Sequence, residues 1–559
     1  MDVATLVPSI AWLRGYRRDW LGADLVAGLT TAAVVIPKAM AYATIAGLPL
    51  EVGLYTAFVP MAVYALLGTS RPLSVSTTTT IAILSAAAIA EGAPGAGPAQ
   101  ALAAGAALAV LVGAILVAAS VLQLGFVANF ISEPVLVGFK SGIGLVIVVD
   151  QLPKVLGLHI HKAGFLRDLL AVVEHLPDAS LVAFAVSASL FVLLMGLEHF
   201  APRSPAPLVG IGLAIAATTL LGLDRHGLEV VGAVPRGLPV ATWPRADLLQ
   251  ALWPAATGIA LMSFTETIAA ARAFRSRGEP MPSPNQELLA LGVANLGGGL
   301  LGAMPAGGGT SQTSVNRRAG ARTQLSGLVT AAATMATLLL LAPLFAKMPH
   351  AALAVVVIVY SLDLVQPEDF RAIRRVRSVE FRWALIALAG VVALGTLRGI
   401  LVAVIASLLS LAHQSWNPPV YVLGRKRGSP GVFRPLSAEH PDDETWPGLL
   451  VLRTEGRVFF ANGQRIGERM MALIEEASPR VVLLDCSAIV DIEYTALRAL
   501  AEAEERLAHD GVTLWMAALN PEVLEVVRQS RLGEVLGRDR MFFNVETAVA
   551  RWQQARQGE

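Results

Sequence analysis

The sequence predicts an α-helical polytopic membrane protein that ends in a small α/β domain. Three observations carry this reading. Of 559 residues, 55% are hydrophobic and only 15% are charged, against about 25% charged in an ordinary soluble domain. Ala, Leu, Val and Gly supply the apolar excess and aromatics make up 6%, the composition of closely packed membrane helices. The charge is also unevenly placed: before about residue 415 it clusters in short connections, and from Arg425 onward the chain reads as a soluble domain.

The same arithmetic removes other classes. Disorder needs low hydrophobicity and high net charge, and the net charge here is +1. A nucleic-acid binder shows a basic footprint, but 43 Lys+Arg face 42 Asp+Glu. The single cysteine, Cys486, forbids a disulfide framework and reads as a buried, inert thiol. A transmembrane β-barrel alternates in segments of about ten residues, whereas these apolar runs are continuous. Arg14, Arg17 and Arg18 precede a long apolar segment without a cleavage site, so no cleavable signal peptide is expected.

A membrane-crossing helix needs about 20 apolar residues. Apolar segments run at roughly 25–47, 51–68, 76–91, 99–124, 133–150, 179–198, 205–223, 250–274, 286–303, 310–320, 324–347, 351–366, 382–396 and 397–416, about fourteen in all. The third and tenth are unusual, because each opens on a polar Ser/Thr/Gly run, Ser74 to Thr80 and Gly307 to Ser314. They occupy matching places if the set is split into two halves of seven, and an odd number per half inverts the second half. Interrupted segments in corresponding positions point to a transport site.

Orientation follows from Lys and Arg placement. With a cytoplasmic N-terminus, fifteen arginines fall in inside connections, among them Arg71, Arg203, Arg272, Arg275, Arg277, Arg317, Arg322 and Arg374. Outside connections hold eight Lys or Arg, including Lys154, Lys162, Arg236 and Lys347. An even number of spans puts the C-terminus inside as well. The expected organisation is a membrane domain over 1–416, a linker over 417–446 and a cytoplasmic domain over 447–559. In that last part, strands are expected at 449–453, 458–460, 481–484 and 512–517, and helices at 463–476, 494–509 and 521–529. Strands alternating with helices imply an α/β sandwich.

The chemistry sits in few residues. Hydroxyl-rich helix starts leave backbone N–H groups free at the positive end of the dipole, which attracts anions. Two such ends meeting in the membrane make a cationic pocket without needing a lysine; ordinary capping and small-residue packing is the alternative. Charges inside membrane segments are costly and functional by default. Lys38 follows Pro37 in the first segment, and Glu266 lies in the eighth, its counterpart in the proposed repeat. Glu266 is suited to binding a cation or a proton, or to a structural ion pair with Lys38 or a capping role. Lys38 is placed either to attract an anion or to snorkel to an interface. Lys140 and Asp150 read as structural, and His159 and His161 as surface residues. The chain has no P-loop lysine, metal-spaced His/Cys cluster or nucleophile elbow, so no enzyme activity, cofactor or resident metal is expected.

Several runs resemble the sulfate permease (SulP) family of anion transporters. They are Ile36-Pro37-Lys38-Ala39-Met40-Ala41-Tyr42-Ala43, Gly68-Thr69-Ser70-Arg71-Pro72-Leu73, Pro134-Val135-Leu136-Val137-Gly138-Phe139, Asn285-Gln286-Glu287-Leu288 and Ala319-Gly320-Ala321-Arg322-Thr323. The C-terminal part is similar to the STAS domain that family carries, through Asp485-Cys486-Ser487-Ala488-Ile489. The resemblance implies fourteen spans in a seven-plus-seven inverted repeat, a core domain moving against a gate domain, and a homodimer. It places an anion between the starts of the third and tenth helices. By that resemblance the pocket is Lys38, Tyr42, Thr77, Thr78 and Thr79 with Thr310, Ser311 and Gln312, and Glu266 is the cation-coupling position.

Two departures stand out. Many relatives carry arginine where Gln312 stands and glutamine where Lys38 stands, so a positive charge has changed helices. In the STAS domain Glu493-Tyr494 replaces the usual Asp-Ser pair, which removes the phosphorylated serine. The expected function is secondary active anion transport in the cytoplasmic membrane, namely proton-coupled uptake of sulfate or a dicarboxylate. A sodium-coupled bicarbonate transporter and a passive anion channel or sensor are the alternatives. Protons are preferred over sodium because a glutamate starts from a higher pKa than an aspartate. The partners are the anion, the coupling proton or sodium ion, the bilayer and a second copy, with no nucleic acid.

Overall fold

A computed structural model describes residues 8–95, 97–130, 132–160, 164–201, 204–232, 234, 237–239, 241–276 and 279–557. His161, Lys162, Arg203, Arg236 and Arg277 lie outside the described residues. The chain divides into two compact units, Met1–Leu408 and Leu409–Glu559.

The first unit is helical. Its elements are α1 Leu21–Ile45, α2 Leu50–Leu67, β1 Val75–Ser76, α3 Thr79–Gly92, α4 Pro98–Val121, α5 Glu133–Leu156, α6 Leu181–Phe200 and α7 Ala206–Leu221. There follow α8 Ala246–Ala273, α9 Pro284–Leu300, β2 Gly307–Gly308, α10 Thr310–Arg318, α11 Leu325–Ala336, α12 His350–Leu362, α13 Ser378–Leu394 and the start of α14 Thr396–Trp416, within which the division of the chain falls. The helix α11 runs on through a π turn and a 3-10 turn to Lys347. Each apolar segment expected from the sequence falls on one of these helices. Among the described residues nine helices are long and apolar enough to cross a membrane, and Thr79–Gly92 and Ala206–Leu221 are shorter apolar helices. Leu181, Leu220 and Leu401 stand exposed on the surface, as lipid contact requires.

Local chemistry sets the boundaries. Pro98, Pro134 and Pro284 sit in the first turns of α4, α5 and α9, where a missing N–H costs nothing. Gly157 closes α5 in a left-handed conformation at φ 67°. Small residues let helices touch: a Cβ on Gly138 would stand 2.0 Å from the Ala384 carbonyl oxygen, so α5 and α13 meet at backbone distance.

The packing is reciprocal. α1 packs on α11 as α8 packs on α4; α2 packs on α11 as α9 packs on α4; α5 packs on α13 as α12 packs on α6. An inverted repeat of two similar halves produces this pattern. Two helix sets result, one from α1–α4 with α8–α11, the other from α5–α7 with α12 and α13. They meet where α1 touches α7 and α12, and where α3 touches α5.

The second unit is built on a six-stranded sheet. Its strands are β3 Val420–Arg425, β4 Phe433–Pro435, β5 Leu449–Thr454, β7 Val481–Asp485, β9 Thr513–Ala517 and β10 Met541–Phe542, while β6 Gly456–Val458 pairs separately with β8 Ile489–Ile492. The order is β10-β9-β7-β5-β3-β4, parallel from β5 to β10, with β3 antiparallel to β5. Helices α15 Gly463–Ala477, α16 Tyr494–His509, α17 Pro521–Arg528, α18 Arg531–Leu536 and α19 Val545–Gln557 complete the unit. Every residue of β7 is buried, as a strand covered on both faces must be. The segment 417–446, expected as a linker, differs from that reading: Val420, Tyr421 and Val422 pair with Thr454, Arg453 and Leu452 of β5. Asn417-Pro418-Pro419 ends the helix, as read from sequence, but the short β-branched run after it joins the sheet. Cys486 is buried and free, and burial pushes its thiol far above the ordinary range.

Candidate functional site

The two polar runs are where the backbone leaves the helix. Val75 and Ser76 pair antiparallel with Gly308 and Gly307, so one short ladder joins the stretches that lead into α3 and α10. Irregular backbone at membrane depth must find partners within the protein, and side chains supply them. Gln324 donates to the carbonyls of Ser70 and Leu73 at 2.7 and 2.8 Å, and Asn316 donates to Pro72 at 2.9 Å. The Thr313 hydroxyl accepts from Ser74 N at 3.1 Å, and the Thr267 hydroxyl from Gly308 N at 2.7 Å. Asn295 accepts from Ala306 N and donates to its carbonyl. A Cβ on Gly308 would lie 2.9 Å from the Thr267 Cα, so the close approach of β2 to α8 requires glycine there.

The ladder sets the starts of α3 and α10 beside one another. The first N–H groups of each helix have no intrahelical acceptor, and the first-turn residues Thr79, Thr80, Thr310 and Ser311 line one cavity of about 860 Å³. Lys38, Tyr42, Thr77, Thr78, Thr79, Glu266, Thr310, Ser311 and Gln312 all line it. Nine residues named from sequence, reaching from Lys38 to Gln312, are thus brought to one place. Thr310 and Ser311 are exposed to the cavity, whereas Thr77, Thr79 and Gln312 are buried in its wall. The Thr77 hydroxyl is buried with no hydrogen-bond partner among the described residues, which leaves a polar atom for a ligand to satisfy.

Each polar side chain has a specific task. Thr78 caps α3, accepting from Ile81 N at 3.3 Å and donating to Glu266 Oε2 at 2.9 Å. Gln312 donates to the Ser74 carbonyl at 2.9 Å and accepts from the Ser76 hydroxyl at 3.1 Å. Its amide therefore ties α10 to the β1 strand. Tyr42 reaches toward the Thr79 hydroxyl. Lys38 is 3% exposed, which excludes snorkelling, and its ammonium lies 3.5 Å from the centroid of the Tyr360 ring. Glu266 does not pair with Lys38: its ion-pair partner is Lys140, at 3.8 Å.

Sequence reasoning missed part of the site. Lys140, which reads as structural from sequence, lines the cavity, as do Tyr360 of α12 and the residues from Leu362 to Asp369, which lead from the end of α12 into a short helix over Pro367–Val376. The carboxylates of Glu133, Asp363 and Glu368 are at exposed positions on that lining. The acidic run Glu368-Asp369 after an apolar segment was the available signal. Nothing in the local sequence says that it lines the same cavity as the starts of α3 and α10.

With this geometry in view, comparison with known proteins is decisive. The sequence profile of the sulfate permease family matches residues 21–387. The chain belongs to that family. The STAS-domain profile matches residues 440–548, so this sulfate permease family member carries its membrane unit and its STAS domain in one chain. It is 34% identical over 553 residues, 98% of each chain, to a probable sulfate transporter of Mycobacterium tuberculosis. It is 30% identical to sulfate transporter 4.1, chloroplastic, of Arabidopsis thaliana, across 98% of this chain and 82% of that one. Murine solute carrier 26 family member A9, an anion transporter solved in an inward-facing state, matches with a TM-score of 0.90, covering 99% of this chain and 94% of that one. At 22% identity that likeness speaks to the fold alone. The transmembrane domain of a cyanobacterium bicarbonate transporter, BicA, matches with a TM-score of 0.61 at 25% identity, over 70% of this chain and 98% of that one. The protein is a multi-pass membrane transporter of the sulfate permease family.

Proposed function

We propose that the chain takes up a small divalent oxyanion, sulfate or a dicarboxylate, by proton-coupled alternating access. The observation that carries this reading is the convergence of two helix N-termini, the unpartnered Thr77 hydroxyl and the Lys38 ammonium on one cavity. Backbone N–H groups and hydroxyls hydrogen-bond oxyanions, helix dipoles contribute about half a positive charge each, and Lys38 adds a full one. The 34% identity to a probable sulfate transporter supports sulfate as the first cargo to try.

Glu266 is the coupling group in this reading. It lies in the cavity wall, bonded to the Thr78 cap of α3, so its protonation and the anion site communicate through one hydroxyl. The set α1–α4 with α8–α11 slides against the other as the core of an elevator, with both termini cytoplasmic and the carrier a homodimer. The basic inside connections support that orientation. A second reading, sodium-coupled bicarbonate uptake, is favoured by the likeness to the bicarbonate transporter's membrane domain.

The test is uptake of labelled sulfate, fumarate and bicarbonate into proteoliposomes under an imposed pH or sodium gradient. Sulfate or fumarate driven uphill by protons is the expected result. Sodium-driven bicarbonate uptake would establish the second reading, and flux that never exceeds equilibrium would make the protein a passive channel.

A further inference from the structure

Lys38 is a buried cation in the lining of the proposed anion site, yet it is engaged elsewhere. Its ammonium stacks on Tyr360, 3.5 Å from the ring centroid, and Glu198 and Asp363 are its attracting carboxylates. The placement of these groups matters. Lys38 lies on α1, in the helix set that carries the α3 and α10 starts. Tyr360 lies on α12, Asp363 follows that helix and Glu198 lies on α6, all in the opposite set. Each known attraction on this buried ammonium therefore pulls across the junction at which one set must move past the other. A buried cation over an aromatic face is held by electrostatic attraction to the ring quadrupole, and low surrounding polarity strengthens it.

An anion lying between the α3 and α10 starts offers the same ammonium a fourth partner, this time in its own set. From this competition we infer that the Lys38–Tyr360 contact is a brake on the empty carrier: it holds the two helix sets together when the site is vacant and is released when an anion draws Lys38 to itself. Tyr360 is thereby a positioning residue that acts through Lys38. The inference deepens the transport reading and rests on it. It predicts a specific kinetic asymmetry. Crossing while loaded is fast and crossing while empty is slow, so anion-for-anion exchange outruns net flux.

The experiment compares two fluxes of labelled sulfate in the same proteoliposomes, exchange against internal unlabelled sulfate and net uptake into sulfate-free vesicles. Their ratio cancels differences in the amount of active protein. The wild type should exchange faster than it takes up. Tyr360→Leu, which removes the aromatic face, should raise the ratio of net uptake to exchange by about two- to thirty-fold, the range that a contact of this kind spans. Tyr360→Phe keeps the face and should keep the wild-type ratio. An unchanged ratio in Tyr360→Leu overturns the brake and leaves the transport reading standing. A raised ratio in both variants also overturns it, because the hydroxyl rather than the ring would then be responsible. A wild type that carries none of sulfate, fumarate or bicarbonate overturns the transport reading and the brake together.

Discussion

The Thr78 hydroxyl donates to Glu266 Oε2 at 2.9 Å while accepting from Ile81 N, so a single oxygen joins the acidic residue of α8 to the first turn of α3. A change in Glu266 is felt at the helix start without any side chain travelling far. Replacing the carboxylate by an amide keeps the shape and the acceptor oxygen but removes the negative charge. Glu266→Gln is expected to abolish proton-driven accumulation of anion above equilibrium while sulfate binding to purified protein persists. Accumulation at the wild-type level would remove Glu266 from the coupling role.

Ser311 is exposed to the cavity in the first turn of α10. Ser311→Trp should fill the space between the two helix starts and block flux of every anion tested, with thermal stability near that of wild type because the new ring enters open volume. Continued flux at even a tenth of the wild-type rate would place the binding site elsewhere.

The ladder between β1 and β2 allows no side chain at Gly308, where a Cβ would lie 2.9 Å from the Thr267 Cα. Gly308→Ala is expected to destabilise by about 1–3 kcal/mol, the usual cost of forcing extra volume into a packed site, and to lower the uptake rate. Gly22→Ala, where nothing lies within 4 Å, is the control. Thermal unfolding in detergent reads both, and equal midpoints would contradict the close approach.

The fully buried Glu287 carboxylate at the start of α9 accepts from the Tyr64 hydroxyl at 2.8 Å and from Thr69 through N at 2.8 Å and Oγ1 at 2.5 Å. It anchors the run that leads into β1. Glu287→Leu leaves the buried Tyr64 hydroxyl and the half-buried Thr69 donors unpaired, at about 1–3 kcal/mol for a buried orphaned group, so a marked loss of folded protein is expected. Tyr64→Phe, which removes one donor and orphans no other group, should cost far less. Fluorescence-detected size exclusion separates the two.

Cys486 lies at the end of β7, its thiol 3.6 Å from the Leu484 carbonyl. Burial raises the thiol far above neutrality, and only the thiolate reacts. The folded protein should resist maleimide at neutral pH and become labelled only as the STAS domain unfolds. Labelling of the native protein within minutes would show that the strand opens readily.

The sequence made the skeleton of the site legible and hid its closure. Lys38 and Glu266 stand out because charge within an apolar run is costly, and the Thr77–Thr79 and Thr310–Gln312 runs stand out because hydroxyls break an apolar pattern. Tyr360 carries no such mark, since an aromatic at the end of an apolar helix is ordinary, and only tertiary folding stacks Lys38 on it. Lys140 reads as structural from sequence because its partner, Glu266, lies on a helix far along the chain. Strand β3 was missed for a similar reason: a short run beside Pro418-Pro419 becomes a strand only through its pairing with β5.

The pairing of Val75 with Gly308 and Ser76 with Gly307 has a consequence for what the carrier can discriminate. Two half-helices stitched by main-chain hydrogen bonds keep a fixed spacing, so in the proposed elevator the width offered to an ion is a backbone dimension, the same on either side of the bilayer. Side-chain exchange at Lys38 or Gln312 can retune the preferred valence. On the same reading ionic radius is gauged by the ladder, and resetting that gauge means rebuilding the backbone pairing of Val75 with Gly308.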